Sequence, residues 1–248
     1  MVSSKTKEAT NTKALNVAAF ALNAALYVAA GVFFYSVLPL SFGPVRFWPQ
    51  AVIPAVFAAV FGPWVGGLGA AIGILLNDAI ISGNVLLSLL AGVTSNFVGF
   101  WLLGYISRKR VSWVPSVVGF GVVTEILMAI AFFYTDFVYV VLVAVTFFIY
   151  AGLALLFLRP SSQRYQSYQV ASVTGLLVGS AIIGVMVPVY FQYFAQSATA
   201  LTVGAMFAYF IWTFTTEIAF LLILGPPVIA VVYAAFPRFK PKAKSDPQ

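Results

Sequence analysis

The chain has 248 residues, of which 62% are hydrophobic and 8% charged, with a net charge of +7. No water-soluble surface can be assembled from that composition, so the chain reads as a polytopic helical membrane protein. Its apolar runs do not alternate in polarity as a transmembrane β-barrel requires. Cysteine and histidine are both absent, which removes disulfides, thiolate chemistry, the usual general base and the commonest metal ligand.

The N-terminal segment MVSSKTKEATNTK (1–13) is polar and reads as a cytoplasmic tail. The apolar run near 14–38 is too long for a cleaved signal and lacks an A-x-A exit, so it reads as a retained first helix. The stretch 42–78, FGPVRFWPQAVIPAVFAAVFGPWVGGLGAAIGILLND, is almost wholly apolar yet is cut by Pro49, Pro54 and Gly62-Pro63. It divides into helices near 50–62 and 64–82. The piece from Ala51 to Phe61 spans only about 16 Å as a helix, roughly half a bilayer core. Further apolar windows place helices near 85–107, 114–135, 137–158, 170–194 and 202–235. The last block is long and contains Gly225-Pro226-Pro227, which predicts a kink or break. The expected fold is all-α, with eight helices in a single transmembrane domain over 14–236 and a basic cytoplasmic tail over 237–248.

Charge supports that count. Threading eight helices puts twelve of the thirteen basic residues on one face. They are Lys5, Lys7 and Lys13, then Arg108, Lys109 and Arg110, then Arg159 and Arg164, then Arg238, Lys240, Lys242 and Lys244. The positive-inside rule makes that face cytoplasmic, with both termini inside the plasma membrane. The net charge then reflects topology and anionic lipid, not nucleic acid. The exception is Arg46, in the outer connection SFGPVRFWP. It reads either as a residue snorkelling to headgroups beside Trp48 in the interfacial belt, or as a lid residue that grips a carboxylate or phosphate of a ligand.

Three acids fall inside apolar helices: Asp78, Glu125 and Glu217. A charge at mid-bilayer costs about 2.5–3.5 kcal/mol, so such residues face the bundle interior or a cavity. Each carboxyl reads singly as protonated or hydrogen-bonded packing glue. Taken with Asn77, Asn96, Gln192 and Trp212, they describe instead a ligand cavity opening outward. The excess of acids over Arg46 leans toward a ligand with a cationic or hydrogen-bond-donating part. A proton or sodium relay is the competing reading. Gly62-x-x-x-Gly66, Gly69-x-x-x-Gly73 and Gly175-x-x-x-Gly179 allow close helix approach. Ala21, Ala25 and Ala29 recur along one face of the first helix, either for internal packing or as a flat face for a partner helix. No G-x-x-x-x-G-K-[ST] loop, nucleophile elbow or H-E-x-x-H pattern is present, so the chain is expected neither to hydrolyse ATP nor to be an enzyme. No cofactor or metal site is expected.

The alanine-rich first helix, the external loop and the segment IPAVFAAVFGPWVGGLGAAIG (Ile53–Gly73) resemble the substrate-binding S component of energy-coupling factor (ECF) vitamin transporters. The resemblance covers 14–107 and, more loosely, 170–235, where GLLVGSAIIGVMVPVYFQYF has the family's texture. It implies a vitamin-like ligand in an outward cavity covered by the first loop, here the loop carrying Arg46. It also implies a transmembrane coupling subunit, contacted by an A-x-x-x-A motif that maps best onto Ala21 and Ala25 with Ala29 on the same face, and two ATPase subunits that power import. The candidate ligand-binding residues are then Arg46, Asn77, Asp78, Asn96, Glu125, Gln192, Trp212 and Glu217. The family usually has six helices where eight are counted here. Either 114–158 or the last pair is the addition, and the two options differ on whether Glu125 or Glu217 lines the cavity. A stand-alone secondary transporter coupled to protons or sodium is the alternative function.

Overall fold

A computed structural model describes the backbone of residues 2–109, 111, 113–156, 163–197 and 201–240, and the side chains of 13–109, 111, 114–153, 165–197 and 201–240. Of the basic clusters, Arg110, Arg159, Lys242 and Lys244 lie outside the described residues, as do the side chains of Lys5, Lys7 and Arg164.

The fold is all-α apart from one short hairpin. Helix α1 (Val2–Val37) begins well before the expected position, because nothing between Val2 and Ala30 is a glycine or proline that would stop it. The expected polar tail is therefore helical from Val2. After α1 comes a hairpin of β1 (Ser41–Phe42) and β2 (Val45–Arg46), antiparallel with Ser41 opposite Arg46. Gly43 takes φ +54° at the first position of the two-residue Gly43-Pro44 loop, a left-handed conformation that suits a primed hairpin turn.

A 3₁₀ turn (Pro49–Ala51) leads into the short α2 (Val52–Phe61). Gly62, at φ 110°, ends it, and Pro63 opens α3 (Pro63–Ile81) at the position where its missing N–H costs nothing. Then α4 (Val85–Leu87), a π-helical turn (Ser88–Val93) and α5 (Thr94–Ile106) follow one another without a break. The remaining helices are α6 (Trp113–Tyr134), α7 (Phe137–Leu156), α8 (Gln163–Tyr193) and α9 (Val203–Ala235). Among the described residues, six helices are long and apolar enough to cross a membrane, while Pro49–Phe61 and Phe137–Leu153 are shorter apolar helices. That is the build of a multi-pass membrane protein.

Of the kink or break expected in α9, the break is absent: the helix runs through Gly225-Pro226-Pro227. Neighbouring groups can satisfy backbone that proline frees in an apolar helix. Pro226 and Pro227 leave the Leu222 and Ile223 carbonyls without their helical donors; one residue earlier the Tyr168 hydroxyl of α8 donates to the Leu221 carbonyl at 3.2 Å, and its ring packs into the space that Gly225 leaves.

Small residues set the packing. Asn23 of α1 donates to the Val65 carbonyl of α3 at 3.0 Å, and Gly69 and Gly73 leave the room that Asn23 and Tyr27 occupy. A Cβ at Gly175 of α8 would sit 2.5 Å from the Gly99 carbonyl oxygen of α5, so these backbones touch. Helix α5 packs on α3 and α8, α8 on α9, and α1 on α3, whereas the α6–α7 hairpin leans mainly on α9. Phe120 and Tyr150 join the main core, and Leu127, Ala131, Tyr139 and Val143 form a separate cluster with Ala208 and Ile211.

Candidate ligand cavity

A cavity of about 400 Å³ opens among α1, α3, α4–α5, α8 and α9, under the β1–β2 hairpin. Residues of α2, α6 and α7 do not line it. Its volume is in the range of small-molecule sites.

The roof is held at three places. Arg46 Nη1 donates to Asp78 Oδ1 at 3.0 Å, tying the hairpin to the end of α3; this is the one ion pair among the described residues. Both side chains are largely buried, at 10% and 17% exposed, and the guanidinium lies 5.3 Å and 5.5 Å from the ring centres of Tyr35 and Trp48. Arg46 is therefore fixed on the cavity wall rather than snorkelling outward. The second tie is Phe42, whose ring lies 5.7 Å from that of Tyr139, 5.0 Å from Tyr209 and 6.1 Å from Trp212. The third is Phe47 against Phe220.

Beneath the roof runs a buried polar chain. Trp48 Nε1 donates to the Tyr27 hydroxyl at 2.7 Å, Tyr27 donates to Asn96 Oδ1 at 2.8 Å, and Asn96 Nδ2 donates to the Gly92 carbonyl at 2.9 Å. Trp48 is thus a buried strut between the roof and α1. The π turn brings Ser88, Ala91 and Gly92 onto the lining, with Ser95, Asn96, Gly99 and Leu103 following on α5. Such wide turns recur at functional sites. Nearby, the Asn84 side chain caps Leu87 and bonds Tyr190 of α8, closing the same end of the bundle. Deeper, α9 contributes Thr213, Glu217 and Leu221, and α8 contributes Gly175, Gly179 and Ser180.

Of the residues singled out from the sequence, Arg46, Asp78, Asn96 and Glu217 line this one cavity. The other four stand elsewhere. Asn77 is buried between helices, donating to the Tyr27 carbonyl at 3.1 Å. Glu125 is exposed on α6 beside Val122 and Ile126. Gln192 accepts from the Leu201 backbone N–H at 3.4 Å, and Trp212 belongs to the aromatic cluster around Phe42. Glu217 thus lines the cavity and Glu125 does not, and the α6–α7 hairpin contributes no residue to the lining.

Sequence reasoning did not single out Tyr27, Ser88 or Ser180. Tyr27 carried a signal, since it falls four residues after Asn23 on the face of α1 turned away from the alanine stripe. Ala21, Ala25 and Ala29 are exposed on that opposite side. The described basic side chains other than Arg46, namely Lys13, Arg108, Lys109, Arg238 and Lys240, gather at the end opposite the hairpin. Among the described residues no group of three acids, histidines or cysteines is placed to hold a metal. Comparison with protein-family models, curated proteins and solved structures finds no match to this chain.

Proposed function

We propose that this chain is the substrate-capturing membrane subunit of an energy-coupling-factor type importer. It holds a vitamin or related micronutrient in the roofed cavity and passes it inward when a transmembrane coupling subunit and two ATPase subunits act on it. The observation that carries this reading is the cavity itself, enclosed by a hairpin that Arg46 pins to Asp78. The exposed stripe of Ala21, Ala25 and Ala29 supports it as a smooth docking face for the coupling subunit. The basic residues at the far end support a plasma-membrane orientation with the hairpin outside and both termini cytoplasmic.

On this reading the purified protein retains a small molecule without ATP, and uptake in cells requires the coupling module. Native mass spectrometry after gentle purification tests the first statement, and uptake with Ala25→Arg tests the second. An Ala25→Arg protein that folds, binds and still supports full uptake would rule out the docking face. A second reading, a secondary transporter driven by protons or sodium, draws on the buried Glu217 on the cavity wall. Uptake into proteoliposomes lacking ATPases, collapsed by an ionophore, would favour it.

A further inference from the structure

Charge inside the cavity does not balance. Arg46 is committed to Asp78 at 3.0 Å, and no other basic residue lines the wall. Glu217 is left as a lining carboxyl with no ion pair or hydrogen bond to another described residue, and it is only 8% exposed. Its neighbour one turn earlier cannot help, because the Thr213 hydroxyl already donates to the Tyr209 carbonyl at 2.9 Å. On α8, Ser180 is fully buried on the same lining, and its hydroxyl oxygen has no hydrogen-bond partner among the described residues. The same lining carries apolar residues and glycines, among them Phe100, Leu103, Leu176, Gly175 and Gly179.

A carboxylate taken out of water and left alone is costly, and the cost is offset either by taking up a proton or by a cation with N–H donors at close range, which in a ligand cavity the ligand can bring. Given the capture reading above, on which this rests, we infer that the ligand is a small organic cation whose charged nitrogen seats on Glu217. The ammonium or amidinium N–H groups donate to the Glu217 carboxylate. A second polar group of the ligand bonds Ser180, and its apolar body lies against Phe100, Leu103 and Leu176. An anionic ligand meets the opposite situation: the one guanidinium is already neutralised, and Glu217 repels it.

Three probes of similar shape and different charge test the assignment: benzylamine, benzyl alcohol and phenylacetate. The full chain in lipid nanodiscs, cleared of any retained molecule, is titrated with each near neutral pH while thermal unfolding is followed, since a ligand that binds the folded state raises its stability in proportion to occupancy. Benzylamine is expected to act at a concentration on the order of tenfold lower than benzyl alcohol, about the effect of one modest charge-assisted contact, with phenylacetate weakest. Glu217→Gln is expected to remove the advantage of the amine over the alcohol. Glu217→Asp keeps the carboxylate and retains part of the preference, so the result stands even if the Gln variant folds poorly. The assignment is overturned if the alcohol or the carboxylate binds as well as the amine, or if Glu217→Gln leaves the preference intact. In either case capture itself survives. If no probe shifts unfolding and native mass spectrometry finds no retained molecule, capture and the cation assignment fall together.

Discussion

The most apolar stretches of helix α8 and of α6, in the α6–α7 hairpin, are equally apolar. The mean hydropathy of their best membrane-length windows is 2.2 for α8 and 2.1 for α6, yet 56% of the first is buried inside the protein and 22% of the second. What differs is where small and polar residues fall. Helix α8 buries Ser167, Gln169, Ser172 and Ser180 and crosses α5 at Gly175 and Gly179. Gly119 of α6 and Gly152 of α7 have nothing within 4 Å of where a Cβ would stand, and Val118, Val122, Phe132, Phe133 and Phe148 are exposed. Hydropathy reports compatibility with lipid. Packing between helices is written in glycines, serines and amides, because lipid tails already satisfy an apolar surface.

That contrast can be broken or sharpened by substitution, read as unfolding in detergent or nanodiscs. The largest loss is expected at the roof. Arg46→Ala leaves the buried Asp78 carboxylate unpaired and should cost about 3 kcal/mol, with Asp78→Asn in the same chain recovering part of it. A matched glycine pair comes next. Gly175→Ala drives a Cβ into the Gly99 carbonyl and should cost about 1–3 kcal/mol, whereas Gly152→Ala should gain up to about 1 kcal/mol of helix propensity. Equal effects at the two glycines would erase the distinction between the regions. Phe42→Ala probes the tie between the roof and the α6–α7 side, since its ring packs beside Tyr139 of α7 and Tyr209 of α9. It should cost about 1 kcal/mol and weaken ligand retention, measured as dissociation rate. Smallest is Glu125→Gln on α6, with a change in stability below about 0.5 kcal/mol and no effect on ligand retention.

The sequence was most legible where chain punctuation is chemical. Gly62-Pro63 marks the α2–α3 break, and charge or polar turns place the ends of α3, of the continuous α4–α5 run, of α6 and of α9, and the start of α7, within two residues of their observed positions. Starts without a punctuating residue were misplaced: α1 begins at Val2 and α8 at Gln163, because neither leading segment contains glycine or proline. The β1–β2 hairpin had a signal in Gly43-Pro44, but two-residue strands are too short for alternation to register. Within the cavity, acids stranded in apolar helices were conspicuous, and two of three line it. The chain from Trp48 through Tyr27 to Asn96 joins three distant segments, so no local pattern could announce it.

The π-helical turn at Ser88–Val93 makes the cavity sensitive to length as well as to composition. Each residue of an ordinary helix advances the chain by roughly 100° about its axis. A π-helical turn winds one residue more than an ordinary turn into nearly the same sweep, so removing one residue between 88 and 93 restores an ordinary helix with Asn96, Gly99 and Leu103 near their present phase. Adding one residue there instead swings that face off the wall by roughly 100°, so that Tyr27 loses its acceptor and α8 its glycine contact although every one of those residues is still present. A single-residue insertion is thus expected to abolish ligand retention, and a single-residue deletion to be milder. The wide turn works as a phase setter, timing the face of α5 to a cavity built by other helices.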